Sequence, residues 1–202
     1  MKHKIIGLSW ESLFTPANEN LLREAIYKGL SESNFPSLSY RNLLVLTVAE
    51  LFFKSFDCLD FLDIASGHNF PILSWFQDNN AGPELAEAYS KKGASSVAFD
   101  LEHPPKFLQF KKFPMQRVSG TTDYLDQYFR CESFDLVSSV VFFGYPSSRE
   151  GRRPDYYFEY KTMVAARKLT KQNGVGIHLL VDGYWQLSKE DLQEMGYKVI
   201  KY

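Results

Sequence analysis

The chain has 202 residues and a formal net charge of −1, with 45% hydrophobic and 23% charged residues. That size and balance fit one globular domain with a substantial core, and they exclude the strongly basic surface on which tight, nonspecific nucleic-acid binding depends. No run reaches the ~20 apolar residues of a membrane helix, and the start, MKHKIIGLSWES, lacks the apolar stretch of a secretory leader, so the expected compartment is the cytoplasm.

Apolar residues recur at helical spacing over 18–33 (Leu21, Leu22, Ala25, Ile26, Leu30), with Asn18 or Asn20 available as a cap. Pro36 separates this stretch from a second expected helix at about 39–56, built on Leu43, Leu44, Leu46, Val48, Leu51 and Phe52. These two helices form an expected N-terminal cap or lid, residues 1–56, ahead of a main domain at 57–202. They could equally pack on the sheet. From Asp57 onward, strand-like and helix-like runs alternate. Strands are expected at about 59–64, 96–100, 114–118, 134–141, 174–181 and 197–201, and helices at about 71–78, 84–92, 121–130, 156–171 and 188–195. Alternation of this kind predicts a parallel sheet covered on both faces. The runs at 59–64 and 134–141 are nearly continuously apolar, as doubly covered strands should be. Ligands of such sheets bind at the carboxyl ends of the strands, near the point where strand order reverses.

The strand ends therefore hold the candidate site. The first run breaks into Asp63-Ile64-Ala65-Ser66-Gly67-His68-Asn69. Gly67 suits a ligand approaching the backbone, or an ordinary strand-to-helix turn. The G-x-G-x-x-G pattern is absent, which gives a dinucleotide site little support. SSVAFD ends in Asp100, where a carboxylate can accept two hydrogen bonds from ribose hydroxyls, or simply face solvent in a turn. Val118-Ser119-Gly120 closes the third strand and Asp123 follows. Ser138 and Ser139 lie along the fourth. Cys58 and Cys131 have no metal-ligand spacing and read as free thiols in a reducing compartment. Among the histidines, His178 falls inside the fifth strand and reads as a core residue, while His3 and His103 carry no signal.

In this order, "FLDIASGHN", "SSVAFDLE", "VSGTTDYL", "SFDLVSSVVFF", "ARKLTKQNGVGIHLLV" and "LSKEDLQEMGYKVI" resemble the class I S-adenosylmethionine-dependent methyltransferases over about residues 57–202. No one of these segments is specific, and their order carries the resemblance. It implies a Rossmann-like three-layer α/β fold with a mostly parallel central sheet, here with added N-terminal helices, and S-adenosylmethionine as cofactor. It places Asp63 near the methionine end, Ala65 and Gly67 in the turn that approaches the cofactor, Asp100 on the ribose, Asp123 at the adenine, and Ser138 with Ser139 beneath the sulfonium. Phe142, Phe143 and Tyr145 could face that cation. His68 is the best-placed base should the acceptor need to lose a proton, and Tyr145 is the second candidate catalytic residue. Arg149, Arg152 and Arg153 suit a carboxylate or phosphate on the acceptor, and Tyr156 and Tyr157 a flat one. The expected partner is a small-molecule or protein methyl acceptor. The turn departs from the family by keeping one glycine, so a cofactor-free partner subunit of the same fold is the alternative, with another nucleotide-binding α/β protein behind it.

Overall fold

The computed structural model describes residues 16–32, 40–64, 84–100, 115–140, 156–179 and 186–198. Five strands form one sheet: β1 (Asp60–Ile64), β2 (Ser95–Asp100), β3 (Gln116–Ser119), β4 (Phe134–Val140) and β5 (Thr170–Leu179). Their order is β3-β2-β1-β4-β5, and every neighbouring pair is parallel. The chain steps outward from β1 to β3, then returns to place β4 on the other side of β1. The order thus reverses between β1 and β4. The helices are α1 (Pro16–Ser31), α2 (Tyr40–Phe52), α3 (Glu84–Lys91), α4 (Leu125–Tyr128, preceded by a 3-10 turn over Thr122–Tyr124), α5 (Tyr156–Leu169) and α6 (Lys189–Glu194). None of the described helices is long and apolar enough to cross a membrane.

Alternation along the strands sorts side chains into two layers. On one face Phe61 and Leu136 meet Val45, Leu46 and Ala49 of α2 and Leu85, Ala88 and Tyr89 of α3. On the other, Leu62, Ile64, Phe99 and Val137 meet Leu125 of α4 and Ala165, Ala166 and Leu169 of α5. This is the three-layer, parallel α/β architecture that the alternating runs predict. Phe53 and Phe56, which follow α2, stack around Phe61 with ring centroids 5.3 and 5.0 Å away. The boundary expected at residue 56 therefore runs through one contiguous core, and α2 serves as a covering helix of the sheet.

The strand expected at 174–181 begins earlier, at Thr170, directly where α5 ends. Thr170 donates to the carbonyl of Ala166 at 2.9 Å and pairs with Phe134, while Leu136 pairs with Val175. Asp135 alone thus faces the longer Lys171–Gly174 stretch. Its carboxylate accepts from Lys171 at 2.8 Å and from the Asp60 N–H at 2.8 Å, tying β5, β4 and β1 together at the edge opposite the strand ends. Gly174 makes the irregularity possible, because a Cβ there would lie 2.9 Å from the Asp135 carbonyl oxygen. Gly174→Ala is expected to destabilise the fold by about 1–3 kcal/mol, the range for overpacking against immovable atoms, as read by urea unfolding. Of the final strand expected at 197–201, Tyr197 and Lys198 are not extended into the sheet, and the rest lies outside the described residues, as does the helix expected at 71–78. The helix expected at 188–195 begins at a reciprocal cap: Ser188 Oγ accepts from the Asp191 N–H at 3.0 Å and Asp191 accepts from the Ser188 N–H at 2.7 Å.

Candidate functional site

Parallel register fixes which side chains share the rim. Asp63 lies level with Ala98 on β2 and with Ser138 on β4. Asp100 is two residues beyond Ala98, so it projects from the same face, one step nearer the strand ends. Two carboxylates on adjacent strands thus converge beside the reversal between β1 and β4. Asp63 is 3% exposed. Burial pushes its carboxyl up to about 8; the Ser138 hydroxyl partly offsets this, and the negative charge of Asp100 adds to it. At neutral pH the ligand-free site therefore holds a protonated acid beside an accessible one.

The third acid of the sequence reading, Asp123, lies in the 3-10 turn directly after β3, at the same end of the sheet; its side chain lies outside what the structure describes. That turn is held on α5 by a 3.1 Å hydrogen bond between the Thr122 and Thr162 hydroxyls. The rim between β2 and β3 is fixed by the Gly120 N–H, which donates to the Asp100 carbonyl at 2.9 Å.

Neither protein-family models nor curated protein sequences match this chain. Solved structures do. A TehB-like SAM-dependent methyltransferase from Corynebacterium glutamicum superposes with a TM-score of 0.53 at 16% identity, over 90% of this chain and 83% of its own. The fold is that of the class I methyltransferases. CrArsM, an arsenic(III) S-adenosylmethionine methyltransferase from Chlamydomonas reinhardtii, is more distant, with a TM-score of 0.39 at 17% identity over 75% of this chain and 47% of its own, and adds nothing to that assignment.

Within this methyltransferase fold the remaining expected site residues divide into three groups. Ser138, expected beneath the sulfonium, is fully buried. Its hydroxyl lies 3.3 Å from Asp63 Oδ1 and 3.4 Å from the Leu62 carbonyl, level with Asp63 on the adjacent strand. Tyr156, expected to touch the acceptor, opens α5 with an exposed ring stacked on Tyr160 at 6.1 Å, and its hydroxyl donates to Asp191 Oδ1 at 2.8 Å. It ties α5 to α6. Two backbone and side-chain bonds from Ser188, with that from Tyr156, hold the Asp191 carboxyl below the ordinary carboxylate range. Ala65, Gly67, His68, Tyr145, Arg149 and Arg152 lie outside the described residues.

Two polar groups carried no signal in the sequence. Tyr89, in an amphipathic helical run, is fully buried, and its hydroxyl donates to Ser138 Oγ at 3.3 Å across 49 positions of chain. Glu159, in the first turn of α5, is fully buried and accepts from the N–H groups of Gln186 (2.7 Å) and Leu187 (3.2 Å), anchoring the approach to α6. Open grooves of about 240 and 340 Å³ run along the outer side of α5, lined by Tyr160, Val164 and Lys168 among others, and neither is lined by Asp63 or Asp100.

Proposed function

We propose that this chain is an S-adenosylmethionine-dependent methyltransferase acting on a small molecule or on a protein side chain. The observation that carries the reading is the convergence of Asp63 and Asp100 on one face and one rim of adjacent strands, beside the strand-order reversal where α/β sheets take their ligands. The donor identity follows the structural neighbour of the same fold. In this reading Asp100 accepts from the ribose hydroxyls, Asp63 meets the methionine end, and Asp123 borders the adenine. Ala65 and Gly67 let the backbone come close, and Tyr145 flanks the sulfonium. His68 takes a proton from acceptors that must lose one, while Arg149 and Arg152 meet an acidic group on the acceptor. The bound donor supplies an activated methyl group. The chain's own contribution is to hold donor and acceptor in line, and that alignment is where methyl transfer gains most of its rate.

The single glycine of the turn favours a second reading, a partner subunit of this fold that no longer binds the donor. Thermal shift with millimolar S-adenosylhomocysteine separates the two. A ligand far above its Kd raises the unfolding temperature, and an unmoved temperature would select the partner subunit. Asp100→Ala is expected to weaken S-adenosylhomocysteine binding by roughly 1.5–3 kcal/mol, the range for hydrogen bonds to a charged group. Unchanged affinity in titration calorimetry would remove Asp100 from the ribose.

A further inference from the structure

The surroundings of Asp63 contain a directed chain of hydroxyls. Tyr89 of α3 donates to Ser138 Oγ at 3.3 Å, and the one Ser138 proton is shared between Asp63 Oδ1, also 3.3 Å away, and the Leu62 carbonyl at 3.4 Å. Tyr89 and Ser138 are fully buried, so these bonds are shielded from competing water. The Tyr89 proton runs toward Ser138, and the nearer acceptor of the Ser138 proton is the carboxyl. Hydrogen bonds aligned in one direction polarise one another, and a chain ending on a carboxyl oxygen favours its ionised form.

Among the described residues, burial and a second carboxylate work against ionisation. β2 contributes Asp100, whose charge opposes a second one. α2 contributes apolar side chains to the adjoining core, among them Val45, Leu46 and Ala49. Arg117, level with Ala98 on β3, is a basic group farther along this face, and its charge interacts with that of Glu87 on α3. Across Asp63 itself, β4 and α3 present Ser138 and Tyr89.

We infer that Tyr89 and Ser138 are positioning residues that aim Asp63 at the rim and let its carboxyl ionise when a cationic ligand arrives there. The inference rests on the proposed function for the ligand's identity: the ammonium-bearing methionine end of S-adenosylmethionine or S-adenosylhomocysteine. On binding, the Asp63 proton passes to solvent and the ligand's positive charge replaces it. Tyr89 and Ser138 keep their own protons, so one proton leaves per ligand bound at neutral pH.

Two measurements test this in the whole chain. The first follows the Asp63 carboxyl by carbon-13 NMR against pH in ligand-free protein. Tyr89→Phe retains the ring and removes only the hydroxyl, and it is expected to move the Asp63 midpoint upward. Ser138→Ala should move it further, because it deletes the bond made directly to the carboxyl. The second is titration calorimetry with S-adenosylhomocysteine in buffers of different ionisation enthalpy. About one proton released per ligand is expected at pH 7 in the wild type. A roughly tenfold weaker affinity is expected in Tyr89→Phe, with the difference vanishing once Asp63 is ionised in both forms. An Asp63 midpoint that both variants leave unmoved would overturn the inference even with ligand binding intact. A moved midpoint without any ligand binding would keep the hydroxyl chain, and would sink its role in ligand binding together with the proposed function.

Discussion

Asp63→Asn is expected to stabilise the ligand-free protein at pH 8 while removing its affinity for S-adenosylhomocysteine. The carboxyl is pushed from its ordinary 3.8 to about 8, chiefly by burial. The folded chain therefore keeps a proton that the unfolded chain releases between those values. Stability is fully present below about pH 3.8 and falls as pH rises to about 8, by on the order of 5 kcal/mol in total. Asparagine has nearly the same shape as the protonated acid and no charge to form, so the variant has no such slope. Urea unfolding should show it more stable than wild type by on the order of 2–4 kcal/mol at pH 8, with the gap closing toward pH 4. In the same variant a cationic ligand meets a neutral amide in place of a carboxylate, and binding should fall at least tenfold at pH 8. Gaining stability and losing binding through one atom would mark Asp63 as a group kept for its ligand at the expense of the fold. A variant less stable than wild type at every pH would mean that the buried carboxyl is ionised and well satisfied, contrary to its surroundings.

The layers of this fold were legible because burial on both faces leaves a plain mark. FLDI and FDLVSSV are buried at nearly every position and mostly apolar, and parallel strands of that kind must be covered above and below. The convergence of Asp63 and Asp100 was legible for a related reason: each acid ends an apolar run, and parallel neighbours bring equivalent ends together. What escaped was whatever depends on a partner far along the chain. Ser138 belongs to the right strand, but only the structure shows that its hydroxyl is engaged by Tyr89 and Asp63. Tyr156 is exposed, yet its hydroxyl is taken by Asp191, 35 positions away. Lys171-Gln172-Asn173-Gly174 looks like a loop, because the bulge that joins it to β5 is set by the Asp135 carboxylate and by the space left at Gly174. The apolar positions of the second helix do not say which surface they cover, which left both a lid and a sheet-covering helix open. The aromatic cluster of Phe53, Phe56 and Phe61 places it on the sheet.

The opposite face of the sheet carries a titrating group of the opposite sign. His178 on β5 lies level with Ser139 on β4, and its Nδ1 is 2.8 Å from the Ser139 hydroxyl. As a residue it is half-buried, but the ring nitrogens decide its titration. Nε2 is sealed from solvent with no hydrogen-bond partner among the described residues, beside the Tyr197 ring at 5.3 Å and 83°. Burial lowers the imidazole from 6.5 to about 4. The unfolded chain thus takes up a proton between pH 6.5 and 4 that the folded chain refuses, and stability is lost as pH falls through that window, by roughly 3 kcal/mol. Asp63 works the other way over the same range. Between pH 4 and 6.5 the folded chain holds one extra proton at Asp63 and lacks one at His178, so the two slopes cancel. Above 6.5 only Asp63 remains. The wild type should therefore show a plateau from about pH 4 to 6.5 and then decline toward 8. His178→Asn, which keeps a polar partner for Ser139 but cannot titrate, should lose the plateau and decline from pH 4 onward. Asp63→Asn should instead climb from 4 to 6.5 and stay level above it, and the double variant should be flat. Urea midpoints at half-unit pH steps distinguish these four curves. A His178→Asn profile that kept the plateau would show that the imidazole titrates normally, with Nε2 reached by water.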